Sequence, residues 1–164
     1  VDTKLDHPAL EPIAFLLGRW RGEGHGDYPT IDDFTYHEEV RFTSIPGKPF
    51  LVYGQRTKGT DGGPLHTEAG YLRPVGAEDL ELVIAQPTGV AEIHTGTVSG
   101  GRIDLTALDV GLTPTAKSVT AVRRVMQIEG DTLSYQLDMA AVGQDLQFHL
   151  AATLHRIMDE GLSG

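Results

Sequence analysis

The sequence predicts an all-β fold, an antiparallel up-and-down β-barrel of about ten strands with a short N-terminal helix plugging one end. Three observations carry this. Segments of about eight to twelve residues alternate apolar with polar side chains, and turn-forming residues separate them. Beyond residue 17 no long stretch has a helical period. Connections are short, so neighbours in sequence pair antiparallel, and a twisted sheet this wide closes on itself and loses its exposed edges. A barrel of about eight to ten strands is wide enough to hold one small ligand.

The elements follow in order. Pro8 to Leu17, PALEPIAFLL, reads as one short apolar helix stopped by Gly18. The first strand, 18–26, carries Gly18, Trp20, Gly22 and Gly24 at a period of two, which puts the glycines and the only Trp on one face. Such a face holds one large ring and leaves bare positions where another backbone or a flat ligand can come close. The second, 34–45, reads FTYHEEVRFTSI and places His37 on a polar, solvated parity with Thr35, Glu39 and Arg41. Further strands are expected at 50–58, 65–74, 79–86, 90–98, 102–110, 118–129, 132–142 and 146–157. Turn chemistry breaks them at PGKP (46–49), GTDGGP (59–64), PVGAED (74–79), SGG (99–101) and EGD (129–131). In the last strand Phe148, Leu150, Ala152 and Leu154 share one parity, and Gln147, His149, Ala151, Thr153 and His155 share the other. Simple alternation turns the apolar set inward and His149 out to water.

Composition narrows the function. A chain of 164 residues reads as one domain over 1–164 with a sizeable core. Lys and Arg number 13 against 23 Asp and Glu, a net charge of −10. That acidity argues against a nucleic-acid partner and against docking on anionic lipid. Without cysteine there is no disulfide, no thiolate metal site and no covalent haem attachment. The N-terminus VDTKLDHPALEP lacks a signal peptide's basic start and apolar run, and no apolar run reaches the ~20 residues of a membrane span. A soluble, cytoplasmic protein is expected. GxSxG, HExxH and a phosphate-cradling glycine loop before a helix are all missing from the sequence.

The opening GRWRGEG is a GxWxGxG pattern, followed by YPT and an acidic strand. LHTEAGYLRP (65–74), AQPTGVAEIHTG (85–96), DMAAVGQDLQFHL (138–150) and a basic residue shortly before the end follow in order. This ordered set resembles the nitrobindin family of haem-binding barrels and covers nearly the whole chain. The resemblance implies a non-covalent b-type haem in the barrel mouth. It implies a ferric iron that converts peroxynitrite to nitrate and binds nitric oxide when reduced. By the same resemblance His149 is the iron ligand, with His155 as second choice. The other pocket positions fall on Thr30, His66, Gln86, Lys117 and Met139. Thr30 would end the glycine strand beside the haem, His66 would approach the open side of the iron, and Lys117 would pair a propionate.

The residues leave other readings open. His66 also reads as a polar strand-end histidine, Lys117 as a surface lysine and Met139 as core filler. His7 and His25 read as solvent-facing or loop histidines, and His94 has no evident role. No strong acid–base pair beside the pocket is visible in the sequence. The same barrel could carry a fatty acid, as lipocalin-like and fatty-acid-binding barrels do, with Arg123, Arg124 and Tyr135 as weak candidates for its carboxylate. A haem or nitric oxide sensor without turnover is the third reading. An apolar parity exposed on the last strand would favour a homodimer.

Overall fold

Alternation along the chain becomes a closed meander. The computed structural model describes residues 5–158. It contains β1 (Gly18–Tyr28), β2 (Ile31–Ser44), β3 (Leu51–Gly59), β4 (Pro64–Val75) and β5 (Asp79–Ala85). These are followed by β6 (Val90–Ser99), β7 (Arg102–Leu112), β8 (Val119–Glu129), β9 (Thr132–Ala141) and β10 (Gln147–Ile157). Each strand pairs antiparallel with its sequence neighbours, and β1 pairs β10 to close the barrel. No sheet edge is left unpaired in that ring. No helix among the described residues is long and apolar enough to cross a membrane.

The expected plug is present as a 3₁₀ helix, Pro8–Leu16. Pro12 lies inside it and supplies no amide donor, which disfavours a regular α-helical ladder. His7 is its N-cap and not simply a solvent-facing residue, since its Nδ1 accepts from the Ala9 amide at 3.1 Å. Leu10, Ile13 and Leu16 are fully buried against the barrel. Trp20 fastens this helix: its Nε1 donates to the Leu16 carbonyl at 2.8 Å. The Arg156 guanidinium lies over the indole, 4.1 Å from its centroid, and donates to the carbonyls of Phe15 and Leu17. The core under the plug, with Phe42, Leu51, Leu72, Leu80 and Ile103, is closely filled, and the opposite end is open.

The glycine face of β1 admits rings of the protein itself and not a flat ligand. A Cβ on Gly24 would lie 2.4 Å from the Tyr36 ring, and one on Gly26 would lie 2.3 Å from the Phe34 ring. Both rings come from β2, which is paired with β1. Gly22 instead allows close backbone approach, because a Cβ there would meet the Thr153 carbonyl oxygen of β10 at 2.0 Å.

Simple alternation fails in β10, and a bulge is the reason. Phe148 pairs with Asp138 and Leu150 with Leu137, which leaves His149 as an extra residue between them. Leu150, Ala152 and Leu154 face inward as alternation requires, yet His149 also lines the interior. Phe148 is turned away and packs on the exposed His25, ring centroids 5.5 Å apart. Ala152 and Leu154 are buried in the core.

Candidate functional site

A cavity of about 680 Å³ runs from the open end toward the plug. Leu65, His66, Val119, Met139, His149 and Leu150 line its mouth. Phe42, Leu72, Leu82 and Leu133 form an apolar floor, and a polar belt lies between.

The β10 bulge sets His149. Its Nδ1 lies 3.2 Å from the Asp27 carbonyl oxygen and its ring meets Tyr28 edge-on at 5.2 Å. A carbonyl can only accept, so Nδ1 carries the proton and Nε2 keeps its lone pair. Burial lowers the imidazole pKa below its ordinary 6.5, and the Asp27 bond opposes this only in part. A neutral imidazole with a free nitrogen on a cavity wall is the form that ligates a metal.

Of the other expected residues, His66 lines the mouth, with Nε2 3.5 Å from Glu68 Oε2. Gln86 lines the cavity and donates to Glu68 at 3.2 Å and to Glu92. Met139 also lines it. Lys117 is exposed on the loop joining β7 to β8, at the open end and two residues from the cavity-lining Val119. Thr30 does not reach the cavity: it is exposed in the tight turn between β1 and β2. His155 is also outside it, exposed beside Thr132 (Nδ1 to Oγ1 3.4 Å) near the plugged end. Of the two β10 histidines, only His149 lines the pocket.

Sequence reasoning missed the belt. Arg124 donates to Glu68 at 3.0 and 2.8 Å and to Glu92 at 2.9, 3.1 and 3.3 Å. His94, fully buried, bonds Glu92 through Nε2 at 2.8 Å. Tyr53 donates to Glu68 at 2.9 Å. Glu38 accepts from Tyr135 at 2.6 Å and Gln55 at 3.3 Å, and the Tyr135 hydroxyl meets that of Tyr36 at 2.7 Å. Burial pushes the Glu68 and Glu92 carboxyls up, but Arg124 with His66 and His94 outweighs it and holds both low. Among the described residues Glu38 bonds no cation: burial carries it to about 7, and the Tyr135 and Gln55 bonds, with the more distant charge of Arg124, offset only part. The pocket therefore does contain strong acid–base groups. Their signal was present in β6, where Glu92 and His94 occupy the inward parity between Val90 and Val98.

The belt also bears on the lipid-carrier reading. A fatty acid's carboxylate needs an unpaired cation or donor, but Arg124 is taken up by Glu68 and Glu92, and Tyr135 by Glu38. Arg123 lies outside the cavity on Asp104, at 2.7 Å.

Comparison with known proteins agrees with this geometry. The profile of the THAP4-like, heme-binding beta-barrel domain matches residues 9–156. A Mycobacterium avium protein named peroxynitrite isomerase 2 is 54% identical over 92% of this chain and 96% of its own. A Nocardia farcinica peroxynitrite isomerase is 50% identical over 92% of each chain. The crystal structure of Rv2717c from M. tuberculosis superposes with a TM-score of 0.88 at 52% identity, covering 92% of this chain and 98% of that one. The chain belongs to the THAP4-like heme-binding β-barrel family, the nitrobindin family its ordered motifs resemble.

Proposed function

We propose that this protein holds a non-covalent b-type haem in the cavity through His149, isomerises peroxynitrite to nitrate and binds nitric oxide when reduced. The observation that carries the reading is the His149 imidazole, with Nδ1 tied to the Asp27 carbonyl and Nε2 free on the cavity wall. The family's haem binding and the relatives' printed names support it.

The cavity fits the group. Its 680 Å³ lies within the ~300–1,000 Å³ usual for cofactor-sized ligands. Leu65, Val119, Met139 and Leu150 offer an apolar mouth to a macrocycle, and the cysteine-free sequence has no means of covalent attachment. When bound, the haem would supply a ferric Lewis acid.

The chain's own residues do the rest. Asp27 fixes the His149 tautomer through its backbone. His66, on the mouth, offers an imidazole to an entering anion, and Lys117 at the rim offers a cation to a propionate. Gln86 and Met139 form part of the enclosing wall, which excludes water and limits the escape of small reaction fragments.

Hemin titration of wild type, His149→Ala and His155→Ala tests the assignment. A Soret band is expected in wild type and His155→Ala and is lost in His149→Ala. Nitrate formed from peroxynitrite by the loaded protein, above the uncatalysed yield, separates turnover from sensing. A band that persists in His149→Ala overturns the ligand, and absence of any band in wild type overturns the haem reading.

A further inference from the structure

Five tyrosines occur in the sequence, and their surroundings differ in one respect that matters for oxidation. A phenol gives up an electron readily only when its proton has somewhere to go. Tyr28 bonds backbone groups, donating to the Met139 carbonyl at 3.0 Å, and a carbonyl does not keep a proton. Tyr71 is half exposed and packs edge-on against Phe50. Tyr53 donates to Glu68 at 2.9 Å, but Glu68 is bound by Arg124, which makes it a poor base. Tyr135 donates to Glu38 at 2.6 Å, and among the described residues Glu38 has only Tyr135 and Gln55 as donors. Tyr36, 2.7 Å from the Tyr135 hydroxyl, must then donate to it, since Tyr135 spends its own proton on Glu38. All three line the cavity.

We propose that Tyr135 is a redox site of the cavity, an internal one-electron donor to nitrogen dioxide and oxidants of its class, with Glu38 taking its proton and Tyr36 stabilising the radical. The electron leaves the phenol for nitrogen dioxide, which becomes nitrite. The phenolic proton passes to the Glu38 carboxylate, giving a tyrosyl radical and a carboxylic acid, and the total charge is unchanged. Nitrogen dioxide is small and uncharged, so the acidic belt does not repel it as it does an anion. The source of the radical rests on the peroxynitrite reading, because breaking the O–O bond of peroxynitrite yields nitrogen dioxide; the site itself does not depend on haem.

Glu38 is a suitable base at neutral pH, since burial sets its pKa at about 7. Around it stand Tyr135 on β9, Gln55 and Thr57 on β3, Glu68 on β4 and Arg124 on β8, with Gly22 beside it on β1. Glu68 raises its pKa and Arg124 lowers it, so neither sign of charge dominates. Only the carboxylate accepts the proton, so oxidation of Tyr135 accelerates as pH rises through about 7.

The test generates nitrogen dioxide by pulse radiolysis of nitrite around the purified chain, with and without one equivalent of hemin. Radical formation is followed by freeze-quench electron paramagnetic resonance, and nitrated tyrosines are mapped by mass spectrometry. Expected are nitration of Tyr135 ahead of the more exposed Tyr71, and radical formation slowed at least about tenfold in Tyr135→Phe and Glu38→Gln. Tyr53→Phe leaves the rate unchanged, and Glu38→Gln abolishes the rise with pH. Tyr36→Phe keeps the radical but shifts its g values, as loss of a hydrogen bond to the radical oxygen requires. An undiminished rate in Tyr135→Phe or Glu38→Gln, or nitration at Tyr71 first, overturns the proposal. Failure to take up hemin counts against the haem reading alone, and the hemin-free arm still decides the fate of Tyr135.

Discussion

At the residue scale, Glu38 and His149 show how burial selects a protonation state. Glu68 and Glu92 share Arg124 and remain ionised, whereas Glu38, at 5% exposure with neutral donors, is raised from 4.5 to about 7. A carboxyl whose folded pKa is raised contributes stability that is present below the unfolded value and lost as pH rises through the folded one. The difference of about 2.5 units corresponds to about 3 kcal/mol. Urea unfolding from pH 4 to 8 should therefore show Glu38→Gln gaining on wild type by about that amount, mostly between about pH 4.5 and 7. An unchanged difference across that range would show that Glu38 titrates normally. His149 moves the other way: its lowered pKa keeps the ring neutral at pH 7. The residues of the candidate site were only partly legible in sequence. His149 came from an ordered set of family motifs, and its inward position could not be read, because alternation carries no mark of a bulge.

At the scale of the element, β1 and β10 are the specialised strands. Gly24 and Gly26 leave room for the Tyr36 and Phe34 rings of β2, so the thin first strand is thickened by its neighbour. Gly26→Ala should cost about 1–3 kcal/mol by overpacking, read as a lower urea midpoint at unchanged slope. Phe34→Leu in the same chain should recover part of it, because the clash is with the Phe34 ring. No recovery would mean that the Leu150 side chain, 2.9 Å from the added Cβ, and not the ring sets the need for glycine. Strand positions were nearly all legible, since alternation and turn residues are local properties: the expected 102–110 is observed as Arg102–Leu112, and 132–142 as Thr132–Ala141. The plug was legible as a helix but not as a 3₁₀ helix capped by His7.

At the scale of the molecule, ring closure turns ten local strands into one interior, filled under the plug and hollow at the other end. A ligand bound in that hollow by the folded chain alone stabilises the fold by mass action. The thermal midpoint should therefore rise with hemin concentration, by about 2.7 kcal/mol of stability at a hundredfold excess over Kd. His149→Ala should flatten that rise, and an equal rise in both chains would place the haem on another ligand. The sequence by itself determined the class, the number of strands, the plug and the family, because period, turn chemistry and motif order are written along the chain. Only the tertiary structure decided that His149 turns inward while His155 and Thr30 stay in solvent. It also decided that Glu38, Glu68, Glu92, His94 and Arg124 meet in one belt. These residues are distant in sequence, and their pKa values and partners exist only where closure brings them together in low dielectric.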